Sequence, residues 1–346
     1  MALSLLNTPP SKLAPKPPLP PPSRQFEPPQ QQSPLHLSLL LREQPSRQPR
    51  PVRSSSSPTA DAAPSPPSSR EEAVSQARSC LATALRKPLN NSVPPRKQRK
   101  QQRQPRFRAE IPVVDDSPGS LARLASDVFS SGLGVTRKGG AAARLLLVWP
   151  SSEEMGVALR EPNDWGESTA HAQLDAVAPD ALSSCDAAVF LAPGRSQVEK
   201  MRATADALDP KPVVMFNPAW SFDEEEGFAA GARGFLGSFN VVYSFTGLEV
   251  RGLLSKKKGV LLRCVEGGRF GGESWVLMVE EEDAAPAPAP EVEQFKVVSR
   301  LKRRPTIGEV ETMLYNLMAA NSPVTKSARF LRGLVSNVTG GKKEKP

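Results

Sequence analysis

The chain has 346 residues, 37 of them proline, and a formal net charge of +9 at pH 7. Its three cysteines, Cys80, Cys185 and Cys264, are far apart with no CxxC spacing, and only His36 and His171 accompany them. This argues against a zinc centre or a disulfide framework, so no metal and no cofactor is expected. No apolar run approaches the ~20 residues of a bilayer-spanning helix.

Residues 1–69 are rich in proline and serine, and the first 70 residues carry eight Lys or Arg against Glu27, Glu43 and Asp61. Such a segment buries too little apolar surface to offset the entropy of ordering. A basic, Ser-rich, acid-poor leader has the composition of an organellar transit peptide, and its prolines favour a plastid over a mitochondrion. Cleavage is expected upstream of Glu71; the alternative is a disordered tail that stays attached. The first 70 residues supply +5 of the +9, leaving +4 for residues 71–346. RKQRKQQRQPRFR, residues 96–108, holds seven cations and no acid, so the remainder carries about −3. The positive charge forms one stripe, not a basic surface.

In chain order, REEAVSQARSCLATALR places Ala73, Val74, Ala77, Leu81, Ala84 and Leu85 on one helical face. The basic linker 96–108 follows, then RAEIPVV as a short strand and DSPGSLARLASDVFSS as a second helix. RLLLVWP, AAVFLAP and PVVMFNP read as strands buried on both faces, with SQVEKMRATADAL a helix between the last two. NVVYSF, KGVLLRCV, SWVLMVEEE and QFKVVSRL come at short spacing, which favours antiparallel pairing. A Pro/Ala loop is expected at 284–290. Thr306 and Glu309 form a capping-box signature for one helix, and Ser322 with Pro323 starts another. The expected fold is α/β: a mixed sheet with a parallel Rossmann-like half, then antiparallel strands, with flanking helices. It forms a single domain over 70–338, with a disordered tail at 339–346.

EEAVSQARSCLATALRKPLNN, PRFRAEIPVVDDSPGSLARLASDVF, the FNPAW turn and TIGEVETMLYNLM together resemble a plant and cyanobacterial family of uncharacterised domains. That family includes the chloroplast "low photosystem II accumulation" proteins and the domain following the kinase in a plastid adenylate kinase. The resemblance covers most of residues 70–338. It implies a stromal protein supporting photosystem II assembly or maintenance, and it supplies no catalytic residues.

Ligands of a parallel sheet bind beyond the carboxyl ends of its strands. Those ends carry Ser151, Ser152, Glu153 and Glu154, then Gly194, Arg195 and Ser196, then Asn217 and Trp220. Free amides at the start of the helix after PGRS, with Arg195, would hold a phosphate or carboxylate at Gly194, Arg195, Ser196 and Asn217. Ser196 is equally a good N-cap. Neither GxxxxGK[ST] nor GxGxxG occurs, and His171, in STAHAQ, reads as a helix-surface residue. The acidic runs DEEEG and EEED read as solvated surface or as receivers of a cation or basic partner.

Arg96, Lys97, Arg99, Lys100, Arg103, Arg106 and Arg108 are read as a contact for an acidic partner or an anionic thylakoid surface, or else as a solvated linker. Nucleic acid is disfavoured because Phe107 is the single aromatic among them. The reading is a non-enzymatic stromal assembly factor, peripheral at the thylakoid, whose partners are photosystem II subunits or other assembly factors. Its rivals are an anion- or nucleotide-binding α/β domain with cryptic enzymatic activity and a plastid RNA-binding protein.

Overall fold

The computed structural model describes residues 66–90, 103–112, 117–162, 165–251, 256–265, 274–280 and 295–321. Residues 1–65, Arg96, Lys97, Arg99, Lys100, the 284–290 loop, the helix expected from Ser322 and the tail at 339–346 lie outside the described residues.

The parallel half consists of β1 (Arg106–Glu110), β2 (Leu145–Trp149), β3 (Thr169–Gln173), β4 (Ala187–Leu191), β5 (Val213–Phe216) and the start of β6 (Asn240–Arg251). The rest of β6 continues into an antiparallel meander with β7 (Lys256–Cys264), β8 (Trp275–Glu280) and β9 (Phe295–Leu301). Among the described residues these nine strands make one sheet, ordered β3-β2-β4-β5-β1-β6-β7-β8-β9. The first of the described strands therefore lies inside the sheet, between β5 and β6.

Period-two alternation sends the apolar runs to two cores. Leu145, Leu147, Trp149, Val189, Leu191, Val214 and Phe216 face α1 (Arg70–Asn90), α2 (Pro118–Phe129) and α3 (Ser152–Arg160). On the opposite face Leu146, Val148, Phe190 and Met215 pack with α5 (Val198–Ala207) and α6 (Ala230–Leu236), beside α4 (Pro179–Ser184). The antiparallel half is covered on that second side by α7 (Ile307–Asn321), through Val310 and Leu314 against Leu261, Trp275 and Leu277.

α1 starts on Glu71 and Glu72, buries the expected stripe apart from half-buried Ala84, and runs past Arg86 through Pro88. Each fully buried leucine of that stripe, Leu81 and Leu85, contributes about 1.5–3 kcal/mol. The α7 capping box forms as read: Thr306 Oγ1 accepts from the Glu309 amide at 3.2 Å, and Glu309 Oε2 accepts from the Thr306 amide at 3.0 Å.

Four elements go beyond the sequence reading: α3, β3, α4 and α6. α3, α4 and α6 are only one or two turns long, and β3 is an edge strand with a single buried residue, Ala172, so none carries a long apolar pattern. His171 is therefore not on a helix surface. It lies in β3, where parallel pairing with β2 sets it opposite Leu147.

β1 also begins earlier than RAEIPVV. Arg106, Phe107 and Arg108 pair with Val213, Val214 and Met215 of β5, so the end of the expected linker is interior sheet.

Candidate functional site at the carboxyl edge of the sheet

From β2 the chain moves outward to β3, and from β4 it moves the other way to β5; α3 and α5 lie on opposite faces. The ends of β2 and β4 therefore flank a topological switch point, where a doubly wound sheet opens its ligand crevice. Ser151 caps α3 there, its Oγ accepting from the Glu154 amide at 3.3 Å. Burial pushes the Glu154 carboxyl above its ordinary range. One side chain spans the gap. Gln197 donates from Nε2 to the Pro150 carbonyl at 2.7 Å, and its Oε1 accepts from the Gly194 amide at 2.8 Å.

That latch engages part of the expected anion cradle. Gly194, not Ser196, stands at the N-cap of the short 3-10 turn Arg195–Gln197, and its amide is spent on Gln197. Ser196 is exposed. The Arg195 guanidinium stacks 4.5 Å from the Phe228 ring and lies 3.5 Å from Glu224. Asn217 is turned elsewhere: its Oδ1 accepts from the Ile111 amide at 2.7 Å and its Nδ2 donates to the Ile111 carbonyl at 2.8 Å. This adds a side-chain rung to the β1–β5 pairing beyond the strand end. Its φ of 46° is one that Asn tolerates better than most residues.

The chain after Asn217 turns over the ends of β5 and β1 and delivers the acidic run to a second crevice. Arg108, 3% exposed, forms ion pairs with Glu110 at 2.5 Å and with Glu225. Trp220 holds Glu225 by donating from Nε1 to Oε1 at 3.0 Å. Arg304, arriving from the β9–α7 connection, grips both Glu110 oxygens at 2.9 and 2.7 Å, and the Ser244 hydroxyl donates to Oε2 at 2.8 Å. Burial alone would raise the Glu110 carboxyl, but Arg108 and Arg304 override it and hold the pKa at about 2. Arg304 also lies over Phe222 at 4.6 Å and Trp275 at 5.0 Å. Asp223 accepts the first amide of α7, from Ile307, at 3.1 Å. Above this network lies a cleft of about 340 Å³ lined by Phe222, Glu226, Arg233, Arg303 and Thr306 among others.

Two cations of the basic stripe are thereby corrected. Arg108 is inside, and Arg106 is held by Asp206 at 3.1 Å, by Ser238 Oγ at 3.0 Å and over the Phe235 ring at 4.8 Å. Both fasten β1; Arg108 is buried, whereas Arg106 keeps 18% of its side chain exposed while tied to Asp206. Arg103 precedes the strand and is exposed.

Residues 67–312 match the family described as Domain of unknown function (DUF1995), a span from just before α1 into α7 that includes all nine described strands. The chain belongs to that family. Among curated proteins nothing matches the sequence. The family span encloses both crevices, so latch and ion network are parts of the domain itself.

A third polar feature follows from β3. Trp149 Nε1 donates to His171 Nδ1 at 3.0 Å, and Trp165 meets the imidazole edge-on at 4.8 Å. An indole N–H only donates, so the neutral imidazole carries its proton on Nε2, which is buried with no partner among the described residues. Burial lowers the His171 pKa to about 4. The arrangement locks the end of β2 and keeps this histidine neutral at pH 7. The alternation Thr-Ala-His-Ala-Gln and the neighbouring Trp149 were the available signals for it.

Proposed function

We propose that this protein is a non-enzymatic factor of the plastid stroma that supports photosystem II accumulation by binding photosystem II subunits or other assembly factors at the thylakoid surface. The observation that carries the reading is the interlocked set Arg108, Glu110, Arg304 and Glu225 beneath a cleft of mixed charge. The edge where such sheets place ligand chemistry is here a braced floor, and its rim presents Glu226, Arg233 and Arg303. Charges of both signs on a fixed support suit a complementary protein surface, where they set register and encounter rate more than affinity.

The resemblance to the low photosystem II accumulation proteins and the basic, acid-poor N-terminal segment support the location. Arg96, Lys97, Arg99 and Lys100, with Arg103, supply the attraction to an anionic membrane, at ~1 kcal/mol per cation near the surface. The test is affinity capture from solubilised thylakoids on the chain lacking residues 1–65, with mass spectrometry of the bound proteins. Photosystem II subunits or their assembly factors are expected to be enriched over a mock column, and less so on Arg233→Glu. A bound set indistinguishable from the mock would end the proposal.

A further inference from the structure

Cys80 and Cys264 are 184 positions apart in the chain, and the fold brings their Sγ atoms to 3.3 Å. Cys80 lies in the buried stripe of α1 with Ala77 and Leu81; Cys264 ends the β7 ladder opposite Tyr243 of β6. The two are 2% and 1% exposed, and no disulfide joins them. Cys185 belongs to the core on the other face of the sheet, where its Sγ donates to the Leu182 carbonyl at 3.5 Å.

A contact of 3.3 Å has one thiol hydrogen-bonded to the other. An S–S bond of ~2.05 Å requires an approach of roughly 1.2 Å, the scale of a side-chain adjustment between a helix and the sheet beneath it. The Tyr243 hydroxyl reaches Gln76 of α1 at 3.4 Å in the same pocket. Its pKa is raised by burial first, then by Cys264 and Cys80, which places the phenol and both sulfurs in one weakly polar environment.

We propose that Cys80 and Cys264 are a dithiol–disulfide couple, a modification site oxidised by exchange with a low-molecular-weight disulfide of the glutathione class and restored by a dithiol. In the first step one protein thiolate attacks a sulfur of the reagent. The reagent's S–S bond breaks, a mixed disulfide forms and one glutathione thiolate leaves. The second protein thiolate then attacks the protein sulfur of the mixed disulfide, forming the Cys80–Cys264 bond and expelling the second glutathione thiolate. The two protons given up by the protein end on the two leaving thiolates, and two electrons pass to the reagent. Burial makes the rate depend on local opening of α1. The product pins α1 to the antiparallel half and restricts the unfolded chain across a long loop. None of this depends on the partner proposed above.

The test treats the full chain with oxidised glutathione at neutral pH without denaturant, blocks remaining thiols by alkylation and maps the peptides by mass spectrometry. Wild type and Cys185→Ser are expected to lose two hydrogens, yield a Cys80–Cys264 linked peptide and unfold at a higher temperature than the reduced protein, all reversed by dithiothreitol. Cys80→Ser and Cys264→Ser are expected to give no such link. Should either variant fail to fold, the wild-type peptide map decides alone. A glutathione adduct that persists on one cysteine, a link through Cys185, or a Cys80–Cys264 link that forms only in denaturant would overturn the assignment.

Discussion

At the ends of β2 and β4 a neutral amide closes the crevice, whereas at the ends of β5 and β1, beside Ser244 within β6, the closure is ionic. Gln197 donates to one carbonyl and accepts from one amide, so neither partner loses water uncompensated. The ionic crevice is different in kind. Arg108 and Glu110 are taken out of water inside the sheet, and their attraction offsets that cost only while Glu225, Arg304 and Ser244 keep their places. Arg108 Nη2 is buried with no partner among the described residues, so this network has little to spare. A neutral latch can open at small cost, while an ionic floor stays intact or fails as a unit. The two crevices therefore differ in how much they allow the edge to move.

The largest expected effect comes from removing one charge of the floor. Glu110→Gln leaves Arg108 and Arg304 facing a neutral amide, and the loss of stability is expected at ~3–5 kcal/mol, read from the urea midpoint at pH 7. pH sharpens the assignment. Glu110 has a folded pKa of about 2, below its ordinary 4.5, so its stabilising contribution is full above 4.5 and is lost as pH falls through about 2. Across that window the wild type is expected to lose stability more steeply than Glu110→Gln. Parallel pH profiles, or a cost below ~1 kcal/mol at pH 7, would show that the ion pairs are not what holds this edge.

The difference between the crevices also separates what sequence reasoning reached from what it did not. Buried apolar runs such as LLLVW and VVMF announce their strands, because a strand covered on both faces has no polar alternation to confuse it. The α7 cap was readable for a similar reason, since both of its partners lie within four residues. Arg108 looked like part of a solvated stripe because five of the seven cations precede β1 in a polar linker. What makes it a core residue is Glu225, 117 positions away, and Arg304, which shares Glu110 with it from 194 positions beyond that acid. No local pattern encodes such a meeting. Gly194 and Arg195 were legible as a strand end at a switch point, but Gln197 was not legible as the group that closes it. Spacing suggests a capping role for Gln197, yet its second bond, to Pro150, depends on where β2 lies.

A smaller effect is expected at the latch. Gln197→Ala frees the Gly194 amide and the Pro150 carbonyl at an edge that water can reach, so the cost is expected at about 1–2 kcal/mol, well below that of Glu110→Gln. Native-state hydrogen exchange is expected to show faster exchange at Gly194 and in the first turn of α5, with the amides of β1 unchanged. Equal acceleration at β1 would mean that the two crevices are mechanically one.

The smallest effect is expected from Arg195→Ala. The guanidinium is nearly half exposed, its ion pair with Glu224 is at 3.5 Å, and its stacking on Phe228 is at the surface. Exposed contacts of this kind are weakened by solvent screening, so the loss of stability is expected to be smaller than that of Gln197→Ala. The informative measurement is the response to phosphate. A ligand that binds only the folded state raises its unfolding temperature by mass action. With the Gly194 amide spent on Gln197, and Asn217 on Ile111, wild type and Arg195→Ala are expected to respond to phosphate alike. If phosphate stabilises the wild type and Arg195→Ala abolishes the effect, the anion site is at the switch point and the latch must open to admit it. If the stabilisation survives Arg195→Ala but is lost in Arg233→Ala, the anion sits in the ionic cleft, and the contrast between a closed switch point and an open cleft stands.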